Sequence, residues 1–198
     1  MIKFSILFFI EILLNPGLFA QLPDSTIRDL KDGKVVNDTS YIYWLPFESG
    51  KKYFLVQGWE SKHSHKDELS LDFKMKPGTK IFAAREGIVI KVKEDSDKGG
   101  VKDEYLNERN HIIIQHADGS YAGYWHLEKN GAQVNVDDHI VKGQYIGRSG
   151  NTGYSAFPHL HFYVYIRQSQ FKTLPTRFVT SKGVRYLRPG QYYKSIHQ

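Results

Sequence analysis

From Tyr41 onward, apolar residues fall in short runs separated by turn formers, the pattern of strands rather than of long helices. Lys52–Gln57 reads as a strand. Leu69, Leu71 and Phe73 alternate with Ser70 and Asp72, so the first three share one face of a strand and the last two share the other. Pro77-Gly78-Thr79 is a turn, and two short strands follow over residues 81–84 and 87–92. The charged, glycine-containing stretch 94–109 is a long loop. Residues 111–116 and 121–127 pair as a hairpin through Asp118-Gly119. Short elements follow at 134–136 and 142–149, and then the tight loop Gly150-Asn151-Thr152-Gly153. The loop leads into Pro158-His159-Leu160-His161-Phe162-Tyr163-Val164-Tyr165-Ile166, rich in β-branched and aromatic residues with proline at its mouth. No long amphipathic helix is evident. The pattern predicts an all-β fold: an antiparallel sheet sandwich or open barrel with short strands and long loops around a groove.

The two ends read differently from the middle. Residues 1–20 carry Lys3, an apolar run from Phe4 interrupted by Glu11, a Pro16-Gly17 break and Ala20, and are expected to be a signal peptide for export. An uncleaved anchor is the alternative, disfavoured because a span needs about 20 apolar residues. Residues 21–40 are expected to be a flexible arm, 41–190 a single β domain, and 191–198 a polar tail.

Of the 198 residues, 40% are apolar and 14% aromatic, which suits one globular domain and excludes a disordered chain. The net charge of +6 favours an anionic partner. Nucleic acid, anionic lipid and an acidic cell-wall polymer all meet that description; the lysines and arginines are scattered without a long basic run, so net charge alone is weak evidence for nucleic acid. There is no cysteine. The fold must therefore hold without disulfides, and any metal site must use His, Asp or Glu.

The strand at 158–166 projects His159 and His161 from one face, roughly 6.5–7 Å apart, while Leu160 and Phe162 face the other way. Asp72 comes from another strand, His65 or His63 from the segment before it, and His126 from the end of a third strand. Two histidines, a carboxylate and a water suit zinc hydrolysis. No HExxH helix exists to supply a glutamate base, so a histidine must serve. Spacing alone does not separate His159 from His161 as the ligand.

Ser64-His65, Leu71-Asp72-Phe73, Pro77-Gly78-Thr79, Ala83 to Gly87, Tyr124 to Leu127, Lys142-Gly143-Gln144 with Ile146-Gly147, Ser149 to Gly153 and Pro158 to Phe162 occur in one order. In that order they resemble the lysostaphin-type (LytM-like) zinc endopeptidases that cleave peptidoglycan. The resemblance implies one Zn²⁺ per chain held by His65, Asp72 and His161, with His126 and His159 as catalytic histidines and a peptidoglycan peptide as substrate. It implies an exported protein, periplasmic or extracellular, without a stable membrane span once the signal is removed. The sequence departs from the family at five positions. His65 stands seven residues before Asp72 rather than four, which keeps His63 as a substitute ligand. Ala156-Phe157 replaces small residues, Asp137 a glycine, and Tyr163 a glutamate. His111 and His116 read as strand-end residues, His139 as a loop residue and His197 as part of the tail.

Two other classes compete. One is a non-catalytic member of the same fold, acting as a wall-hydrolase activator or wall-binding module. The other is a carrier barrel, since 134–147 has some likeness to biotinyl and lipoyl domains. The first is expected to lose metal-site residues, which this chain retains. The second leaves the histidines unexplained.

Overall fold

The computed structural model describes residues 28–30, 41–61, 65–66, 68–167 and 171–197. The segment expected as a signal peptide lies outside these residues, as does His63. Of the segment expected as an arm, residues 28–30 are described. They are helical, and Leu30 is buried in the core.

Seventeen strands follow among the described residues. They are β1 (Tyr41–Tyr43), β2 (Lys52–Gln57), β3 (Leu71–Lys74), β4 (Lys80–Phe82), β5 (Gly87–Lys93) and β6 (Gly99–Gly100), then β7 (His111–Gln115), β8 (Tyr121–Trp125), β9 (Leu127–Ala132) and β10 (His139–Ile140). The remainder are β11 (Tyr145–Ser149), β12 (Gly153–Tyr154), β13 (His159–Arg167), β14 (Phe171–Thr173), β15 (Thr176–Thr180), β16 (Gly183–Arg185) and β17 (Gln191–Lys194). The described residues are nearly all β, as the patterning predicts, with helical turns only at 28–30 and Asp103–Tyr105. The main sheet runs β10-β5-β7-β8-β13-β3-β2-β17, with β14 also paired to β13. Smaller sheets are β4-β11-β9, β1-β15-β16 and the parallel pair β12-β6. Among the described residues, no helix is long and apolar enough to cross a membrane.

Alternation decides what each strand buries. Leu160, Phe162 and Val164 of β13, Leu71 and Phe73 of β3, Ile112 and Ile114 of β7, and Ala122 and Tyr124 of β8 enter one core, closed by Tyr43, Phe47 and Phe178. Each such large side chain contributes about 1.5–3 kcal/mol by leaving water. The opposite face of β13 carries His159 and His161, and beyond them Tyr163 and Tyr165 in a separate buried cluster.

The segment expected as a polar tail is instead part of the sheet. β17 pairs antiparallel with β2 on the side away from β3 and so forms the edge of the main sheet, and Ser195 exchanges backbone hydrogen bonds with Gly50 and Lys51. His197 stacks on Trp44 with ring centroids 4.6 Å apart. An edge strand presents unpaired backbone groups, and these recruit a neighbour whatever its side-chain polarity.

Candidate active site

β3 and β13 run antiparallel with His161 directly opposite Asp72, so both side chains leave the sheet on the same face. Asp72 is 2% exposed and sits at the centre of the cluster. Its Oδ1 lies 2.8 Å from His161 Nδ1 and 3.5 Å from His159 Nε2. Its Oδ2 lies 3.0 Å from His65 Nε2 and accepts a hydrogen bond from Gln57 Nε2 at 3.1 Å.

Three histidines are oriented by main-chain carbonyls. Nδ1 of His65 faces the Gly58 carbonyl at 3.0 Å, Nδ1 of His126 the Thr152 carbonyl at 2.6 Å, and Nδ1 of His159 the Phe157 carbonyl at 2.8 Å. A carbonyl only accepts, so each Nδ1 carries the proton and each Nε2 keeps its lone pair when the ring is neutral. His126 interrupts the chain between β8 and β9 at φ 63°, in the left-handed region. That conformation costs a residue with a side chain about 1–2 kcal/mol. It is held by the Thr152 contact and by Gly150 N–H donating to the His126 carbonyl at 2.8 Å. Gly153, at φ 81°, tolerates no side chain, because a Cβ there would lie 2.0 Å from Arg109 Cγ. The loop 151–154 thus sits tightly between Arg109 and the histidine it positions.

Among the described residues, two groups of three have ligand atoms within 4.8 Å of one another: His65, Asp72 and His161, and His126, His159 and His161. All five are buried. Ligand atoms around a tetrahedral zinc ion at about 2.0–2.1 Å lie roughly 3.3 Å apart. The Asp72 separations from His65 and His161 are close to that value. His65 Nε2 lies 3.0 Å from Asp72 Oδ2, and with Nδ1 engaged by the Gly58 carbonyl its neutral ring carries the Nε2 lone pair that a metal would need. The His/Asp/His donor set fits zinc.

Electrostatics agree. Against the upward pull of burial, hydrogen bonds from His161 and His65 hold the Asp72 carboxyl well below the usual carboxylate range. Burial pulls His65 down, yet Asp72 beside it lifts the imidazole above its ordinary value, so this spot attracts positive charge. Burial pushes His126 well below its ordinary value, with His159 and His161 adding to the effect. Burial also lowers His159, opposed by Asp72.

The five residues singled out from sequence converge here. Sequence reading missed three others. Gln57 holds Asp72. Glu68 places Oε2 3.9 Å from His161 Nε2 and accepts from Ser70 Oγ at 2.7 Å. Thr152 orients His126, and it sits in the Gly-Asn-Thr-Gly loop whose spacing was the only available signal. Tyr124 stands on the core face, its hydroxyl accepting the Ala84 N–H at 2.8 Å, so it takes no part in the site. Phe157 packs its ring 5.0 Å from that of His159.

The chain is 32% identical over 96 residues to the peptidoglycan DD-endopeptidase ShyA of Vibrio cholerae, covering 48% of this chain and 20% of that protein. It is 32% identical over 115 residues to lysostaphin of Staphylococcus staphylolyticus, covering 57% and 22%. The chain thus spans about a fifth of the length of these curated relatives. The fold is shared with the M23 metalloprotease pseudoalterin from the deep sea, at a TM-score of 0.52 and 18% identity over 80% of this chain and 98% of that one. The profile of peptidase family M23 matches residues 66–173, more than half of the chain. That span contains Asp72, His126, His159 and His161 and begins one residue after His65, and by it the chain belongs to peptidase family M23.

Proposed function

We propose that the chain is an exported zinc endopeptidase that hydrolyses peptide cross-links of bacterial peptidoglycan, with residues 1–20 as its export signal and the domain from residue 41 as its catalytic part. The observation that supports this most is the convergence of His65, Asp72 and His161 with His126 and His159 around one buried carboxylate. ShyA, a peptidoglycan DD-endopeptidase by name, supports the choice of substrate.

His65, Asp72 and His161 would hold the zinc ion. When bound, zinc supplies Lewis acidity that polarises a carbonyl and acidifies water. The remaining work belongs to the chain. His126 and His159, with ring centroids 4.6 Å apart, present Nε2 lone pairs toward the same space. Both are neutral near pH 7 because burial lowers their pKa values. One accepts the proton of the attacking water at Nε2. The positive ring that results is stabilised through its Nδ1–H on a main-chain carbonyl. The other turns donor by taking a proton from solvent at Nε2 and in that form steadies the developing oxyanion, while the proton accepted from the water passes to the leaving amine. The burial of the cluster keeps bulk water from competing for these groups.

The test is digestion of purified wall sacculi with mass analysis of the fragments, alongside zinc content. Peptide-bond cleavage, about one zinc per chain, and loss of activity to a chelator with recovery on adding zinc are expected. Full activity in demonstrably metal-free protein would refute the metal assignment. Intact sacculi would refute the substrate.

A further inference from the structure

Of the histidines in the site, His65, His126 and His159 are each turned by a main-chain carbonyl at Nδ1. His161 is not. Its Nδ1 faces Asp72 Oδ1 at 2.8 Å, so no carbonyl orients the ring from that side. Two rings flank it edge-on, Tyr163 with centroids 5.3 Å apart and His65 with centroids 5.1 Å apart. Such edge contacts limit the tilt of an imidazole but supply it with no acceptor. The second ring nitrogen meets a different group. His161 Nε2 lies 3.9 Å from Glu68 Oε2, at ion-pair distance.

Glu68 is held in that place from several directions. Ser70 Oγ donates to the same Oε2 at 2.7 Å, and Ser70 is itself buried. The Glu68 N–H donates to the His65 carbonyl at 3.1 Å, and the Glu68 carbonyl accepts the Glu60 N–H at 3.0 Å. The next N–H, of buried Leu69, donates to Thr173 Oγ1 at 2.9 Å. A glutamate whose side chain is 36% exposed can ordinarily turn its carboxylate to water. Here the backbone is tied on both sides, and a buried hydroxyl draws the carboxylate toward His161. The stretch between His65 and Asp72 that carries Glu68 is the one whose length departs from the family.

We propose that Glu68 is a positioning residue of the metal centre, holding His161 with Nδ1 toward the ion and Nε2–H toward its own carboxylate. The inference rests on the metal reading of the site and names the group that sets the donor strength of one ligand. With Nδ1 given to a metal, a neutral imidazole carries its proton on Nε2, the nitrogen that faces Glu68. A carboxylate beside that N–H fixes the tautomer and the ring orientation and makes the imidazole the stronger donor. Two neutral imidazoles and the Asp72 carboxylate leave one positive charge of a divalent ion uncancelled, and Glu68 brings the balancing negative charge. Glu68 acts through His161 and not on the substrate.

The test compares the full chain with its Glu68→Gln variant. Glutamine keeps the length and can still accept the Ser70 hydroxyl, so the change removes the charge. Zinc affinity is measured by competition with a chromogenic chelator, stability by urea unfolding of both metal-free proteins, and the His161 ring by nitrogen–proton NMR of both zinc-loaded proteins. Glu68→Gln is expected to bind zinc about 10–100-fold more weakly, with the metal-free unfolding midpoint unchanged and the His161 Nε2–H signal shifted. Equal zinc affinity in the two proteins overturns the proposal. An affinity loss with the Nε2–H signal unmoved also overturns it, as does one accompanied by a matching loss of metal-free stability, because the segment and not the carboxylate–imidazole contact is then responsible. The same measurements separate the two readings. Wild-type protein that takes up no zinc overturns the metal reading and this inference with it, whereas zinc uptake indifferent to residue 68 overturns this inference alone.

Discussion

Thr152→Val tests whether His126 is held from behind by its loop. Thr152 is buried. Its hydroxyl donates to the Leu127 carbonyl at 2.7 Å and accepts the Asn110 N–H at 3.1 Å, while its own carbonyl takes the His126 Nδ1 proton. Valine has the same shape, so packing is kept and only the hydroxyl is lost. Two backbone groups then lose a partner in a water-excluded place. At about 1–3 kcal/mol for each orphaned group, and allowing for partial relaxation, the loss is about 2–4 kcal/mol. With a urea slope of about 2 kcal/mol per M, the unfolding midpoint falls by about 1–2 M. The function should fall further than stability alone explains. The loop no longer pins the carbonyl that orients His126, and a displacement near 1 Å at such a group costs about 10²-fold. The assay is urea unfolding followed by circular dichroism, with wall hydrolysis measured where both proteins are fully folded. Zinc content should not change, because Thr152 touches none of the three candidate ligands. A midpoint within 0.2 M of the wild type, roughly 0.4 kcal/mol at that slope, or an unchanged rate in the folded variant, would refute the reasoning.

The remaining expectations concern the metal, its neighbours and pH. His161→Ala should lose zinc and activity together, whereas His159→Ala should keep zinc and lose activity by about 10²–10⁴-fold; zinc retained in the first and lost in the second reverses the assignment. His65→Ala should lose zinc and His63→Ala should keep it, with bound metal measured on both. Chelation should lower the melting temperature and zinc should restore it, because a ligand bound only by the folded state stabilises that state; a melting curve indifferent to zinc refutes the site. Burial pushes His111 down to about 4 from its ordinary 6.5. Between those values the unfolded chain binds a proton that the folded chain excludes, so stability is full above about pH 6.5 and falls as pH drops toward 4. His111→Gln should make that decline shallower in pH-dependent unfolding, and an identical decline excludes His111 as a contributor.

The sequence by itself determined the strands around the site and their faces, although residues 134–136, read as a short element, form no strand, and the stretch 94–109, read as a loop, contains β6. Alternation put Leu160 and Phe162 on one side of a strand and His159 and His161 on the other, and it set Asp72 apart from Leu71 and Phe73. Side-chain direction in a strand has period two regardless of what packs above it, so this much is local. The glycine-rich loop before the histidines was legible for the same reason. What lay beyond the sequence was register and long-range pairing. Nothing local says that Asp72 stands opposite His161, since a shift of one residue would send it into the core. Gln57 and Glu68 gain meaning only because β2 and the segment before β3 approach the same carboxylate. The terminal residues looked like a tail because their composition is polar, yet β17 is recruited by backbone groups of β2 that no composition reveals. Which neighbours a face meets is decided by chain closure over tens of residues, and that depends on the whole fold, whereas which way a side chain points depends only on its own strand.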